Sequence, residues 1–131
     1  MNSKIAQIIE EARGLLRPER IRTERIQDDW LISFEPGNDG ALALYIRTGD
    51  KWAFLSFGAF DGGLEFSLDT ELSDLRRVFE SVSAGNVTIH VIKHRRRCIF
   101  SSVDMDAGYV LRASLGLIEM IGHGEVFHPV R

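Results

Sequence analysis

The sequence predicts an α+β fold: an N-terminal helix, an antiparallel meander of about four strands, a helix, a β-hairpin and a C-terminal helix. Three observations predict it. Apolar residues recur at three- and four-residue spacing near the start, alternate strictly from Asp29 onward, and return to helical spacing after Asp69. Turn formers punctuate the alternating part at Pro36-Gly37-Asn38-Asp39-Gly40, Gly49-Asp50 and Asp61-Gly62-Gly63. The 131 residues are 44% hydrophobic and 27% charged, without repeats or a linker, which fits one α+β domain over residues 1–131.

The first helix rests on Ile5, Ile8, Ile9, Ala12, Leu15 and Leu16, one apolar stripe, with Ser3 as the expected N-cap and Pro18 near its end. Ile21 to Ile26 fits either a connection or an edge strand. In the meander, Trp30, Ile32 and Phe34 share one strand face, and Leu42, Leu44 and Ile46 form the next. The chain turns at Gly49-Asp50, returns through Trp52 to Gly58, and turns again into Leu64, Phe66 and Leu68. Gly37, Gly40, Gly49, Gly62 and Gly63 are expected to supply positive φ in these turns. Asp69 or Thr70 is placed to cap a helix through Leu72, Leu75, Val78, Phe79 and Val82, ended by Gly85. Val87 to Ile92 and Cys98 to Val103 read as a hairpin around His94, Arg95 and Arg96. The segment Tyr109 to Ile121 fits a helix with Val110, Ser114, Leu117 and Ile121 on one stripe. A strand from Tyr109 to Leu115 fits as well.

Charge is unevenly distributed. Residues 1–27 carry six Lys/Arg against four Asp/Glu, residues 28–80 four against eleven, and residues 81–131 six against four. An acidic middle of this kind argues against general nucleic-acid binding and suits a basic protein partner. No apolar run reaches the ~18–20 residues of a membrane span, and Glu10 and Glu11 interrupt any leader-like stretch. Cys98 is the only cysteine, which fits a reducing, cytoplasmic setting.

Each candidate chemical site lacks a component. His90 and His94 would share a metal only on a helix, because four residues along a strand separate them by roughly 13 Å. With the hairpin turning near Arg95, Cys98 is expected opposite Ile92 and on one face with His90, a nucleophile and base without an orienting third group. Asp104-Met105-Asp106-Ala107-Gly108 has the texture of a calcium loop, but Gly108 stands where an oxygen ligand is required and Leu115 where a glutamate belongs. Asp106 fits better as a helix cap. His123, Glu125 and His128 match no ligand spacing, and no phosphate-cradling glycine motif is present. No catalytic residues, metal or cofactor are therefore assigned.

Surface recognition remains. Trp30, Tyr45 and Trp52 stand beside Asp28, Asp29, Asp39, Asp50 and Asp61, aromatic residues with an acidic rim, the arrangement of a protein interface; with both tryptophans as core residues and the aspartates as turn formers the sequence would look the same. The basic turn Arg95-Arg96-Arg97 is a second candidate for partner contact.

A leading helix, then a meander carrying Asp28-Asp29-Trp30, the Pro36–Gly40 turn and Trp52-Ala53-Phe54-Leu55-Ser56-Phe57-Gly58, then helix, hairpin and helix, resembles the small α+β immunity proteins of bacterial polymorphic-toxin systems. The resemblance implies a non-catalytic protein that occludes a cognate toxin. It is one of layout and carries no family site residues with it. The same order is similar to class I type III secretion chaperones, which implies the alternative of a dimer holding a client segment. An enzyme built on Cys98 and His90 ranks third.

Overall fold

The computed structural model of the chain describes residues 1–15, 20–35, 42–105, 108–113 and 123–127; for Leu15, His94 and residues 123–127 it describes the backbone only. Helical spacing at the start becomes α1 (Ser3–Leu15). Its N-cap is Asn2 rather than Ser3: the Asn2 side-chain oxygen accepts the Lys4 amide at 2.8 Å, which satisfies one of the four unpaired first-turn donors.

Alternation then builds five strands, β1 (Ile21–Ile26), β2 (Asp29–Phe34), β3 (Leu44–Thr48), β4 (Trp52–Phe57) and β5 (Leu64–Ser67), paired in chain order into one antiparallel sheet. The ambiguous segment Ile21–Ile26 is thus an edge strand, and the meander has five strands rather than about four. The turn expected over residues 36–40, with Asp39, lies outside the described residues. The β3–β4 turn is held by the Gly49 amide donating to the Trp52 carbonyl at 3.1 Å and by the buried Thr48 hydroxyl donating to the same carbonyl at 2.9 Å.

Two of the turn glycines serve close approach rather than positive φ. A Cβ at Gly49 would lie 2.6 Å from Nε1 of Trp52, and one at Gly63 would lie 2.0 Å from the Leu55 carbonyl oxygen.

The second helix, α2 (Leu72–Ala84), ends as expected at Gly85, whose φ of 75° lets its amide and the next reach back to the carbonyls of Val82 and Ser81. Neither Asp69 nor Thr70 caps its start: Glu71 holds the N-cap position without a side-chain cap bond and turns its carboxylate back to the Ser67 amide at 3.0 Å.

A second antiparallel sheet follows, with strands β6 (Thr88–His94), β7 (Arg97–Asp104), β8 (Val110–Arg112) and β9 (His123–Phe127) in the order β8-β7-β6-β9. The helix expected from Tyr109 is corrected here. Val110–Arg112 pairs with Ser102–Asp104, and Leu111, which the helical stripe left out, is the residue packed against the core. The remainder of that expected helix, residues 114–121, lies outside the described residues, as do Asp106 and His128.

One hydrophobic cluster joins both helices and both sheets. Ile5, Ile8 and Ile9 of α1 and Leu75, Val78 and Phe79 of α2 pack with Ile32, Phe34, Leu44, Ile46, Leu55 and Phe57. The Phe34 and Phe79 rings meet at 5.2 Å between centroids, and Phe57 stacks on Phe100 of β7 at 5.8 Å. Each fully buried ring contributes roughly 2–3 kcal/mol. A backbone stitch adds to this: the Asp61 amide donates to the Cys98 carbonyl and the Phe100 amide donates to the Asp61 carbonyl, both at 2.8 Å. The β4–β5 connection is thereby tied to β7. No helix among the described residues is long and apolar enough to cross a membrane.

Candidate functional site

Both helices pack on one face of the five-stranded sheet, and the period of two sends the intervening residues to the other. Register then decides which of these stand side by side. Glu24 pairs with Leu31, Leu31 with Arg47, Arg47 with Phe54 and Phe54 with Glu65, a row across all five strands that alternates charged and apolar side chains. The neighbouring row on one side is Arg22, Ser33, Tyr45 and Ser56, and on the other side Trp52 pairs with Ser67. Leu31, Tyr45, Trp52 and Phe54 on this face are half-buried.

Asp29, Arg47, Trp52, Phe54 and Glu65 line an open groove of about 480 Å³. A second groove of about 340 Å³ shares Trp52 and Glu65 and continues over Lys51, Ser67 and Glu71. The Arg47 guanidinium is fixed by Asp29, with Nη2 3.1 Å and Nε 3.2 Å from the same carboxylate oxygen. The Trp52 indole is set by Gly49, whose missing side chain leaves the ring its place. Glu65 is exposed, and its carboxylate has no hydrogen bond or ion pair among the described residues.

The structure divides the acidic and aromatic residues singled out from the sequence. Asp29 and Trp52 are in this groove. Asp28 and Asp50 are exposed in the β1–β2 and β3–β4 turns, at the same end of the sheet. Trp30 is on the opposite, core-facing side, half-buried against the cluster with the Arg25 guanidinium 5.5 Å from its ring centroid. Asp61 is at the far end, where its carboxylate accepts from Arg97 Nε at 2.8 Å. The acidic candidate Asp61 and the basic candidate Arg97 therefore satisfy each other. Arg95 and Arg96 form the exposed β6–β7 turn, Arg95 at a φ of 59°. Arg47, Phe54 and Glu65 are brought into one row only by register.

The expected Cys98–His90 pair is not formed. Cys98 pairs with Lys93, not Ile92, and falls on the same face as Val91 and Phe100, whereas His90 faces the other way. His90 instead stands opposite Ser102 and places Nε2 2.7 Å from an Asp104 carboxylate oxygen. Among the described residues no group of three or more His, Cys, Asp or Glu is arranged to hold a metal ion. No protein-family model, curated protein or solved structure matches the chain.

Proposed function

We propose that this chain is a non-catalytic protein-binding domain, an immunity protein that neutralises a cognate bacterial toxin in the cytoplasm by covering it with the outer face of the five-stranded sheet. The observation that carries the reading is the outward row Leu31, Arg47, Phe54 and Glu65 with Trp52 beside it, half-buried aromatic anchors among charged groups. Interfaces concentrate binding energy in such anchors, and charged residues around them set orientation and encounter rate. The scaffold suits occlusion, since an antiparallel sheet paired in sequence and backed by two helices presents its surface without rearrangement.

The reading requires a toxin gene beside this one, and the test is titration of that toxin once purified. Inhibition is expected to saturate near one inhibitor per toxin, independent of chelators, nucleotide and reductant. Trp52→Ala is expected to weaken binding by about 2 kcal/mol, roughly 30-fold in Kd, while Trp30→Ala acts on stability through the core-facing side. Protection at strongly substoichiometric amounts would show turnover and overturn the reading, as would undiminished binding by Trp52→Ala.

A further inference from the structure

We infer that the partner enters the groove with an arginine side chain, its guanidinium on the Glu65 carboxylate and its stem against Phe54 and Trp52; this rests on the reading of the face as a protein-binding surface. The sheet already contains the same arrangement once. On one side of Phe54, Arg47 carries a guanidinium held by the Asp29 carboxylate. On the other side of Phe54, Glu65 offers a carboxylate in the matching register position, but β5 is the last strand and no further strand supplies a cation. Among the described residues Glu65 has no ion pair, although it is flanked by two aromatic rings in a groove.

Charge complementarity points the same way. The two adjoining grooves are lined by the carboxylates of Asp29, Glu65 and Glu71 and by the cations of Arg47 and Lys51. Arg47 is committed to Asp29, and Glu71 is turned toward the Ser67 amide, so the open carboxylate nearest the aromatic wall is Glu65. A guanidinium suits this position better than an ammonium. It is planar, lies flat on an aromatic face, and can donate two parallel hydrogen bonds to one carboxylate.

The experiment uses the full chain, ¹⁵N-labelled, titrated with the blocked peptide acetyl-Gly-Arg-Gly-amide and with its neutral citrulline isostere. The two tryptophans supply paired reporters, Trp52 in the groove and Trp30 on the core-facing side. The arginine peptide is expected to shift the Trp52 indole N–H and the Phe54 and Glu65 amides while leaving Trp30 in place. The citrulline peptide is expected to bind roughly fivefold more weakly, the fold-change of a charge-assisted contact at an exposed site. Glu65→Gln, at an exposed position that the fold does not require, is expected to erase that preference while leaving the remaining spectrum unchanged. Equal response to both peptides, an unchanged preference in Glu65→Gln, or no saturable shift at Trp52 would each overturn the inference. With the toxin as ligand the two readings separate. If Trp52→Ala weakens the complex and Glu65→Gln does not, the arginine fails and the surface stands; if neither substitution matters, the surface reading fails.

Discussion

Gly63→Ala probes whether β5, the strand that carries Glu65, depends on the close backbone approach at its entry. The added methyl carbon would lie 2.0 Å from the Leu55 carbonyl oxygen and 3.1 Å from the edge of the Phe54 ring. Carbon–oxygen contacts settle near 3.3 Å or beyond, so more than about 1 Å of displacement is required. Leu55 cannot readily supply it, because it is fully buried and paired with Ile46 on one side and Leu64 on the other. The displacement falls on β5, opening the Leu55–Leu64 pair and exposing part of Leu64, which is 6% accessible in the native fold. Overpacking of this kind costs about 1–3 kcal/mol, and a rigid backbone partner places the expected value near 2–3 kcal/mol. Gly14→Ala is the control: a methyl there meets nothing within 4 Å, and the helical position favours alanine by about 0.5 kcal/mol. Urea unfolding followed by tryptophan fluorescence measures both. A Gly63→Ala midpoint equal to that of the unsubstituted chain would refute the close-approach argument, and equal losses at both positions would show a generic effect of replacing glycine.

Cys98→Ala is expected to cost about 1 kcal/mol through lost packing of a half-buried strand residue; a variant that folds normally yet no longer binds its partner would show a role beyond packing. Combined Asp28→Asn and Asp50→Asn substitutions are expected to slow association with a basic partner and flatten its salt dependence, with little effect on dissociation. Asp29 and Asp61 are left intact in that variant because each is engaged by an arginine. Stopped-flow rates unchanged at both low and high salt would remove these turn carboxylates from the encounter and favour Arg95 and Arg96.

What the sequence determined by itself is what depends on neighbours along the chain. Helical spacing specified α1 and α2, Gly85 specified where α2 stops, and alternation put Ile32 with Phe34, and Leu44 with Ile46, on the apolar faces of their strands, which the fold buries. These follow from the 3.6- and 2-residue periods, which are properties of the local backbone. Trp52 and Asp29, which line the groove, could be singled out from the sequence as candidates, because an aromatic residue and a carboxylate at strand starts are visible without knowing their partners.

Only the tertiary structure decided relations between strands. The β6–β7 turn places Cys98 opposite Lys93 rather than Ile92, and in a sheet a slip of one residue exchanges faces, so the pairing of Cys98 with His90 disappears. Asp61 had the texture of a turn former, yet its backbone stitches two sheets and its carboxylate is taken up by Arg97, 36 residues away. Val110–Arg112 satisfied either period, and the open hydrogen-bonding edge of β7 drew it into a sheet. The groove has the same origin: Arg47, Phe54 and Glu65 belong to three separate strands, and no local spacing relates them until cross-strand hydrogen bonds set the register.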